Sequence, residues 1–308
     1  MAGMAEAFGP DVARHQRSIR RLVVVLALPA LILGGPVLSA GLRSSASAAE
    51  MRPSPIPADA RMISSWTTYF QPAAHNGFGA NIWIPAQTID DTVVKPGATF
   101  NFWSSVGDVT LAKGYKLGGA IVDGHTEEGV AIGGGICSTS TTLFNAALRA
   151  GFKMGLRSNH FYYIYRYPVG LDATVSKSGN SVQNMTWTND TPNPVLIRGL
   201  TGPNYVRFEL WSVPTGRTVT LSTPIVTNYT HSYTQYVHTS ALADGASRMI
   251  EYPDDGFDSS VTRTVRDAQG RIIHRETYHS NYAMMVGTVL IGDHTAPYVP
   301  VPPFAPGG

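Results

Sequence analysis

The 308-residue chain contains a single cysteine, Cys137. It lies in Gly133-Gly134-Gly135-Ile136-Cys137-Ser138-Thr139-Ser140-Thr141-Thr142-Leu143, between three glycines and a run of hydroxyl residues. A thiol is a nucleophile once ionised. It ionises more readily at a helix N-terminus, where unpaired amides and the helix dipole favour an anion. Such a nucleophile needs a base to manage its proton and a third group to orient that base. His160 and Asp172 follow Cys137 in that order. The candidate assignment is Cys137 as nucleophile on an acyl carbonyl, His160 as base and then acid, and Asp172 as the orienting group. Gly133, Gly134, Gly135 and Ser138 are the candidate surroundings of an oxyanion. The glycines admit positive φ and close approach, and the local N–H groups are the donors.

Each assignment has a plainer counterpart. Cys137 can be a buried structural thiol beside a tight turn. His160 can be a half-buried residue of an aromatic strand with its nitrogens satisfied. Asp172, after Gly170-Leu171, can cap a turn, and the hydroxyls from Ser138 to Thr142 can cap the helix. Asn159 is a second candidate to orient His160, although neighbours on a strand face opposite sides. The order cysteine, histidine, aspartate occurs in unrelated cysteine peptidases and acyltransferases, an analogy of roles and not of fold.

The elements that must position these residues are mostly strands. Leu143 to Ala150 reads as a short helix, since Leu143 and Ala147, and Phe144 and Leu148, are four apart. Gly151 sits at its C-cap, so Cys137 falls at or just before the helix N-terminus. Strands are expected at Ser64–Phe70, Asn81–Ile84, Thr99–Trp103 and Leu156–Tyr165, the last carrying His160. Further strands are expected at Gln183–Trp187, Val195–Leu200, Tyr205–Trp211 and Thr218–Leu221. Asp123-Gly124 signals a hairpin after Gly118–Val122. The expected class is α+β: mainly antiparallel sheet, one short central helix after the glycine-cysteine stretch, and a small β module.

Arg14, Arg17, Arg20 and Arg21 precede an apolar run from Leu22 to Leu38, and Ala46-Ser47-Ala48 follows it. That is the pattern of a secretory signal peptide over residues 1–48, cleaved or kept as a membrane anchor. Either way, the expected location is extracytoplasmic. An exported chain with one cysteine has no internal disulfide, and its leftover thiol is a candidate reactive group. The expected divisions are a linker at 49–63, a main domain at 64–222, a small β module at 223–295 and a disordered proline-rich tail at 296–308. The module should hold a hairpin, Ser260–Arg266 and Ile272–His279, with Arg263, Arg266, Arg271 and Arg275 exposed. The net charge is +2 with no basic, aromatic-laced patch, which argues against nucleic acid as a partner. The histidines are scattered and one cysteine makes no structural zinc site, so no metal or cofactor is expected. Asp254, Asp255 and Asp258 lack the remaining spacing of a calcium loop.

Pro96-Gly97-Ala98-Thr99-Phe100-Asn101-Phe102, Lys113-Gly114-Tyr115, Gly133 to Ala147, Asn159-His160 and Gly170 to Val175 occur in this order. Together they resemble the VanW-like family over roughly Trp66 to Leu221. The resemblance implies a bacterial cell-envelope setting, with no settled reaction. The family commonly has Gln after the cysteine where this chain has Ser138, so a side-chain amide that could serve an oxyanion is missing. More loosely, the C-terminal module resembles the G5 kind, which implies cell-wall glycan binding. Two functions follow as expectations: a thiol-dependent enzyme acting on peptidoglycan or another envelope acyl compound by acyl transfer or hydrolysis, or a non-catalytic cell-wall or glycan-binding protein.

Overall fold

The computed structural model describes residues 56–301 apart from 72–77, 123–124 and 179–180. The expected leader at 1–48 and the Asp123-Gly124 turn lie outside the described residues. Among these, no helix is long and apolar enough to cross a membrane.

The expected first strand is present as β1 (Arg61–Tyr69), beginning inside the stretch expected to be linker. Helix α1 (Phe78–Ile89) replaces the strand expected at Asn81–Ile84. Ile82, Ala86 and Ile89 recur at intervals of four and three and are fully buried, which is a helix face that a four-residue window cannot show. After β2 (Val93–Val94), β3 (Thr99–Asn101) is cut short by helix α2 (Phe102–Val106). Asn101 causes the change by accepting from Ser104 N at 3.1 Å, an N-cap where the sequence suggested that the strand ran on to Trp103.

Strands β4 (Leu117–Val122) and β5 (His125–Ile132) form the expected antiparallel pair. Helix α3 (Cys137–Ala150) follows. Gly151 ends it at φ 86°, its amide reaching the carbonyls of Ala147 and Leu148. Beyond β6 (Lys153–Met154), the strand expected at Leu156–Tyr165 is absent, and only an isolated bridge joins Ser158 to Thr174. Its aromatic residues favour sheet locally, but its polar backbone groups are satisfied elsewhere. His160 N donates to Asp172, and Ala283 N donates to Phe161 O.

Then come β7 (Ser176–Ser178), β8 (Ser181–Gln183), β9 (Thr186–Thr188), β10 (Val195–Gly202), β11 (Tyr205–Ser212) and β12 (Thr218–Leu221). The C-terminal part contributes β13 (Ile225–Thr230), β14 (Thr234–Thr239), β15 (Ser247–Glu251), β16 (Gly256–Arg266), β17 (Ile272–Tyr282) and β18 (Gly287–Gly292).

The sheets run β1-β11-β10-β2, β3-β9-β6, β14-β18-β15, and β12-β16-β13 with β17 also on β16. All named pairs are antiparallel except β14 with β18. The class is therefore α+β and mainly antiparallel, with three α-helices among the described residues where one was expected. Helix α3 packs on β1 and β11, and Leu143, Phe144, Ala147 and Leu148 are fully buried in the core.

The sheet β12-β16-β13 takes strands from both sides of the expected division at residue 222, because β12 pairs with β16. Arg263 of β16 is fully buried, which corrects its expected exposure. Its guanidinium donates to Leu148 O at 2.9 Å and Phe152 O at 2.8 Å, and pairs with Glu276. A cation is thus placed at the C-terminal end of α3, where the dipole favours it. At the start of the tail, Thr239 Oγ1 donates to Val299 O at 2.9 Å and accepts from Val299 N, so this part is ordered; residues 302–308 lie outside the described set.

Candidate active site

Cys137 is the first residue of α3, and the turn before it depends on glycine. Gly133 and Gly135 have φ of 87° and 102°. A Cβ on Gly134 would overlap the backbone of Gly118 and Gly119. The buried Asn81 of α1 ties this turn down. Its Nδ2 donates to Gly134 O at 2.8 Å and Lys116 O at 3.0 Å, while its Oδ1 accepts from Lys116 N. Several amides are already engaged: Gly133 N with Lys116 O, Gly134 N with Ala131 O, Ile136 N with Gly133 O, and Ser138 N with Gly135 O. The Ser138 hydroxyl is buried against Tyr167 OH at 2.8 Å. Gly133, Gly134 and Ser138 therefore shape the turn, and their donors are not free for a ligand. Among the described residues, the amides of Gly135 and Cys137 have no backbone partner.

The hydroxyl run after the cysteine holds a second wall rather than capping the helix. Ser140 Oγ donates to Ala173 O at 2.5 Å, Thr141 Oγ1 accepts from Ala173 N at 2.9 Å, and Asn145 Nδ2 donates to Leu171 O at 2.8 Å. These bonds dock residues 171–175 along α3. The Cys137 sulfur consequently lies 3.3 Å from Thr174 Oγ1 and 3.5 Å from Val175 N.

The same docking brings in Asp172, and Asp172 brings in His160. Its Oδ2 takes both His160 Nδ1 at 2.6 Å and His160 N at 2.7 Å. With Nδ1 occupied, Nε2 is the ring nitrogen left to act on the Cys137 thiol, and the two groups shift each other's ionisation. The ring stacks on Tyr167 with centroids 5.3 Å apart. The other carboxylate oxygen, Oδ1, accepts from Arg157 Nη2 at 2.8 Å and Tyr282 OH at 2.6 Å. Asn159 does not orient the ring. Its amide donates to His160 O and Asn281 O, bracing the backbone instead.

Burial by itself pushes the Cys137 thiol up, but the hydrogen bond and charge of His160, with help from Thr174 and Val175, outweigh it and leave the thiol below its usual value. Burial pushes His160 down, yet Asp172 and Cys137 together carry it up to about 9. Asp172 is likewise opposed by burial and is drawn below the usual carboxylate range by His160, Arg157 and Tyr282. All three shifts favour a thiolate–imidazolium pair beside an ionised aspartate.

The three residues singled out by type and order are thus contiguous in space. Arg157, Tyr167 and Tyr282 went unrecognised in the sequence. Tyr282 is 110 residues from Asp172, and no local pattern connects them.

Residues 79–211 match the family described as VanW like protein. The chain is 41% identical over 138 residues to the uncharacterized protein YoaR of Bacillus subtilis (strain 168), covering 45% of this chain and 44% of that protein. It is 31% identical over 102 residues to the vancomycin B-type resistance protein VanW of Enterococcus faecalis (strain ATCC 700802 / V583), covering 32% of this chain and 36% of that protein. The matched stretches span less than half the length of either relative. Two solved structures also match. The IgA1 protease G5 domain has 18% identity and a TM-score of 0.17, over 25% of this chain and 92% of that one. The G5 domain of HP0197 has 13% identity and a TM-score of 0.14, over 25% of this chain and 97% of that one.

Proposed function

With residues 79–211 a VanW-like domain, we propose that this chain is an exported cell-envelope protein whose Cys137 attacks acyl groups of the envelope, with the peptide of peptidoglycan as the leading substrate class. The observation that carries the reading is the 2.6 Å bond between His160 Nδ1 and Asp172 Oδ2, with the imidazole near enough to Cys137 that each shifts the other's ionisation. The envelope setting is supported by the relative named for vancomycin resistance and by the leader pattern over residues 1–48. The partner is peptidoglycan or another cell-wall component. The N-terminal segment, if retained, supplies a membrane anchor.

The chemistry is acyl transfer through a thioester. The Cys137 thiolate forms a C–S bond to the carbonyl carbon, and the carbonyl π electrons move to oxygen. The amides of Gly135 and Cys137, which have no backbone partner among the described residues, are the proposed donors to that oxyanion. The His160 imidazolium then protonates the leaving amine or alcohol as its bond to carbon breaks. Water, or an acceptor amine, next gives its proton to neutral His160 and attacks the thioester. The C–S bond breaks and the thiolate returns. Asp172 keeps His160 in the tautomer that presents Nε2 to sulfur and stabilises its charged form.

The test is the rate of Cys137 alkylation by iodoacetamide as a function of pH. The expected result is rapid labelling at mildly acidic pH that disappears in His160→Ala. An ordinary thiol profile, unaffected by that substitution, overturns the catalytic reading. The second reading is a non-catalytic cell-wall binder. It draws support from the exposed Tyr229, Tyr233, Tyr236 and Tyr252 of the C-terminal part, whose rings suit stacking on sugars. Retention on purified cell wall by Cys137→Ala, together with an ordinary thiol profile in the wild type, selects it.

A further inference from the structure

Cys137, His160 and Asp172 all lie within residues 79–211, yet some of the groups that hold the aspartate in place come from outside that stretch. Strand β17 runs beside the site. Tyr282 OH donates to Asp172 Oδ1 at 2.6 Å and accepts from Gly170 N at 3.1 Å, so one hydroxyl ties the carboxylate to the turn that precedes it. Arg157 donates to Asp172 Oδ1 and Asp172 O, and the same guanidinium donates to Ser280 Oγ at 2.9 Å and His279 O at 3.1 Å. The backbone follows: Asn159 Nδ2 donates to Asn281 O, and Ala283 N to Phe161 O. Residues 157–161 and 170–172, which carry the histidine and the aspartate, are therefore both fastened to residues 279–283.

We propose that β17 of the C-terminal part is a component of the thiol site, with Tyr282 as a positioning residue that acts on Cys137 through Asp172 and His160, and Ser280 as a lesser one that acts through Arg157. This rests on the catalytic reading above. The physical reason is the division of labour on the carboxylate. Oδ2 faces His160, and the direction of Oδ2 is set by what grips Oδ1. Arg157 supplies the charge at Oδ1 and Tyr282 supplies direction. Burial and the nearby Asp172 hold the Tyr282 phenol well above its usual value, so the hydroxyl stays protonated and remains a donor. The charged and titratable groups that bear on Asp172 are His160, Arg157, Tyr282 and Tyr163, with Cys137 beyond the imidazole. Loss of the Tyr282 hydroxyl leaves charge balance intact and frees the carboxylate to turn. The imidazolium is then held less firmly, and the thiolate with it.

The experiment uses the full chain and measures iodoacetamide alkylation of Cys137 from pH 4 to 10, with the melting temperature recorded for each variant. Tyr282→Phe is expected to move the inflection to higher pH and to slow labelling at pH 6 about tenfold. Ser280→Ala is expected to shift it the same way by about twofold. Tyr278→Phe removes a hydroxyl from the same strand that does not touch Asp172, and is expected to titrate as wild type. If the wild type labels rapidly at acidic pH in a His160-dependent manner but Tyr282→Phe and Ser280→Ala titrate identically to it, the role of β17 is overturned and the catalytic reading stands. If the wild type itself shows an ordinary thiol profile, both fall. Should Tyr282→Phe not fold, Ser280→Ala decides alone.

Discussion

Two histidine–aspartate pairs in this chain have the same separation and different surroundings. His160 Nδ1 lies 2.6 Å from Asp172 with side chains 5% and 3% exposed, whereas His294 Nδ1 lies 2.6 Å from Asp244 with side chains 78% and 59% exposed. Around the first pair are a guanidinium, a tyrosine hydroxyl, a stacked aromatic ring and a thiol. Around the second is one additional bond, from His294 N to Asp244. A short distance between an imidazole and a carboxylate is therefore no mark of a site. At a wet surface, water screens the pair and competes for every donor. In the interior each donor must be supplied by the protein, and the ionised state follows from which donors those are.

The comparison is tested most severely by removing the histidines in turn. His160→Ala should slow alkylation of Cys137 at pH 5.5 by roughly 100-fold or more, because an ordinary thiol with a pKa near 8.5 is ionised only about one part in a thousand there. His294→Ala should leave that rate unchanged, and an equal loss in both variants would dissolve the distinction.

Asp172→Asn is next in size. It leaves Arg157, whose side chain is 6% exposed, without its carboxylate. The expected cost is about 3 kcal/mol in a denaturant titration, as for other broken buried ion pairs, together with a drop of about tenfold in labelling. Asp244→Asn should leave the denaturation midpoint where it is.

A smaller effect concerns pH and stability. His160, raised to about 9, contributes stability that is complete below its unfolded value near 6.5 and is lost as pH rises through about 9. Cys137, lowered, contributes the reverse: stability complete above its unfolded value near 8.5 and lost as pH falls through its folded value. Between about 6.5 and 8.5 the pair holds one proton in the folded chain and one in the unfolded chain, so the two slopes cancel. Cys137→Ser removes the cancelling partner together with its share of the rise in His160, leaving Asp172 to hold the imidazolium. Its melting temperature is expected to decline from about pH 6.5 upward over a range where the wild type stays level. Parallel curves would show that the folded wild type does not hold the ion pair. Asp172, lowered, adds stability above its unfolded value near 3.9 that is lost on acidification in both proteins.

What was legible in the sequence follows from short-range physics. The spacing of Leu143, Phe144, Ala147 and Leu148 specifies a helix face, Gly151 specifies its end, and those two together place Cys137 at the start of α3. The turn residues beside them, Asn-Asp-Thr-Pro and Gly-Pro, marked off Val195–Leu200 and Tyr205–Trp211 as strands, and these pair as β10 and β11. The same local reasoning failed at Asn81–Ile84, where the helical period exceeds the window. It failed again at Leu156–Tyr165, where aromatic side chains favour sheet but the backbone bonds to Asp172 and Ala283.

The candidate site divides along the same line. Residue types and their order along the chain sufficed to single out Cys137, His160 and Asp172, because a nucleophile, a base and an orienting acid are scarce side chains with few substitutes. Their protonation was not readable there. It depends on Tyr282 and Arg157 gripping one oxygen of Asp172, and on Ser140, Thr141 and Asn145 docking its segment along α3. Those are contacts across long stretches of chain whose strength comes from exclusion of water. Only the folded arrangement decides which groups water can still reach.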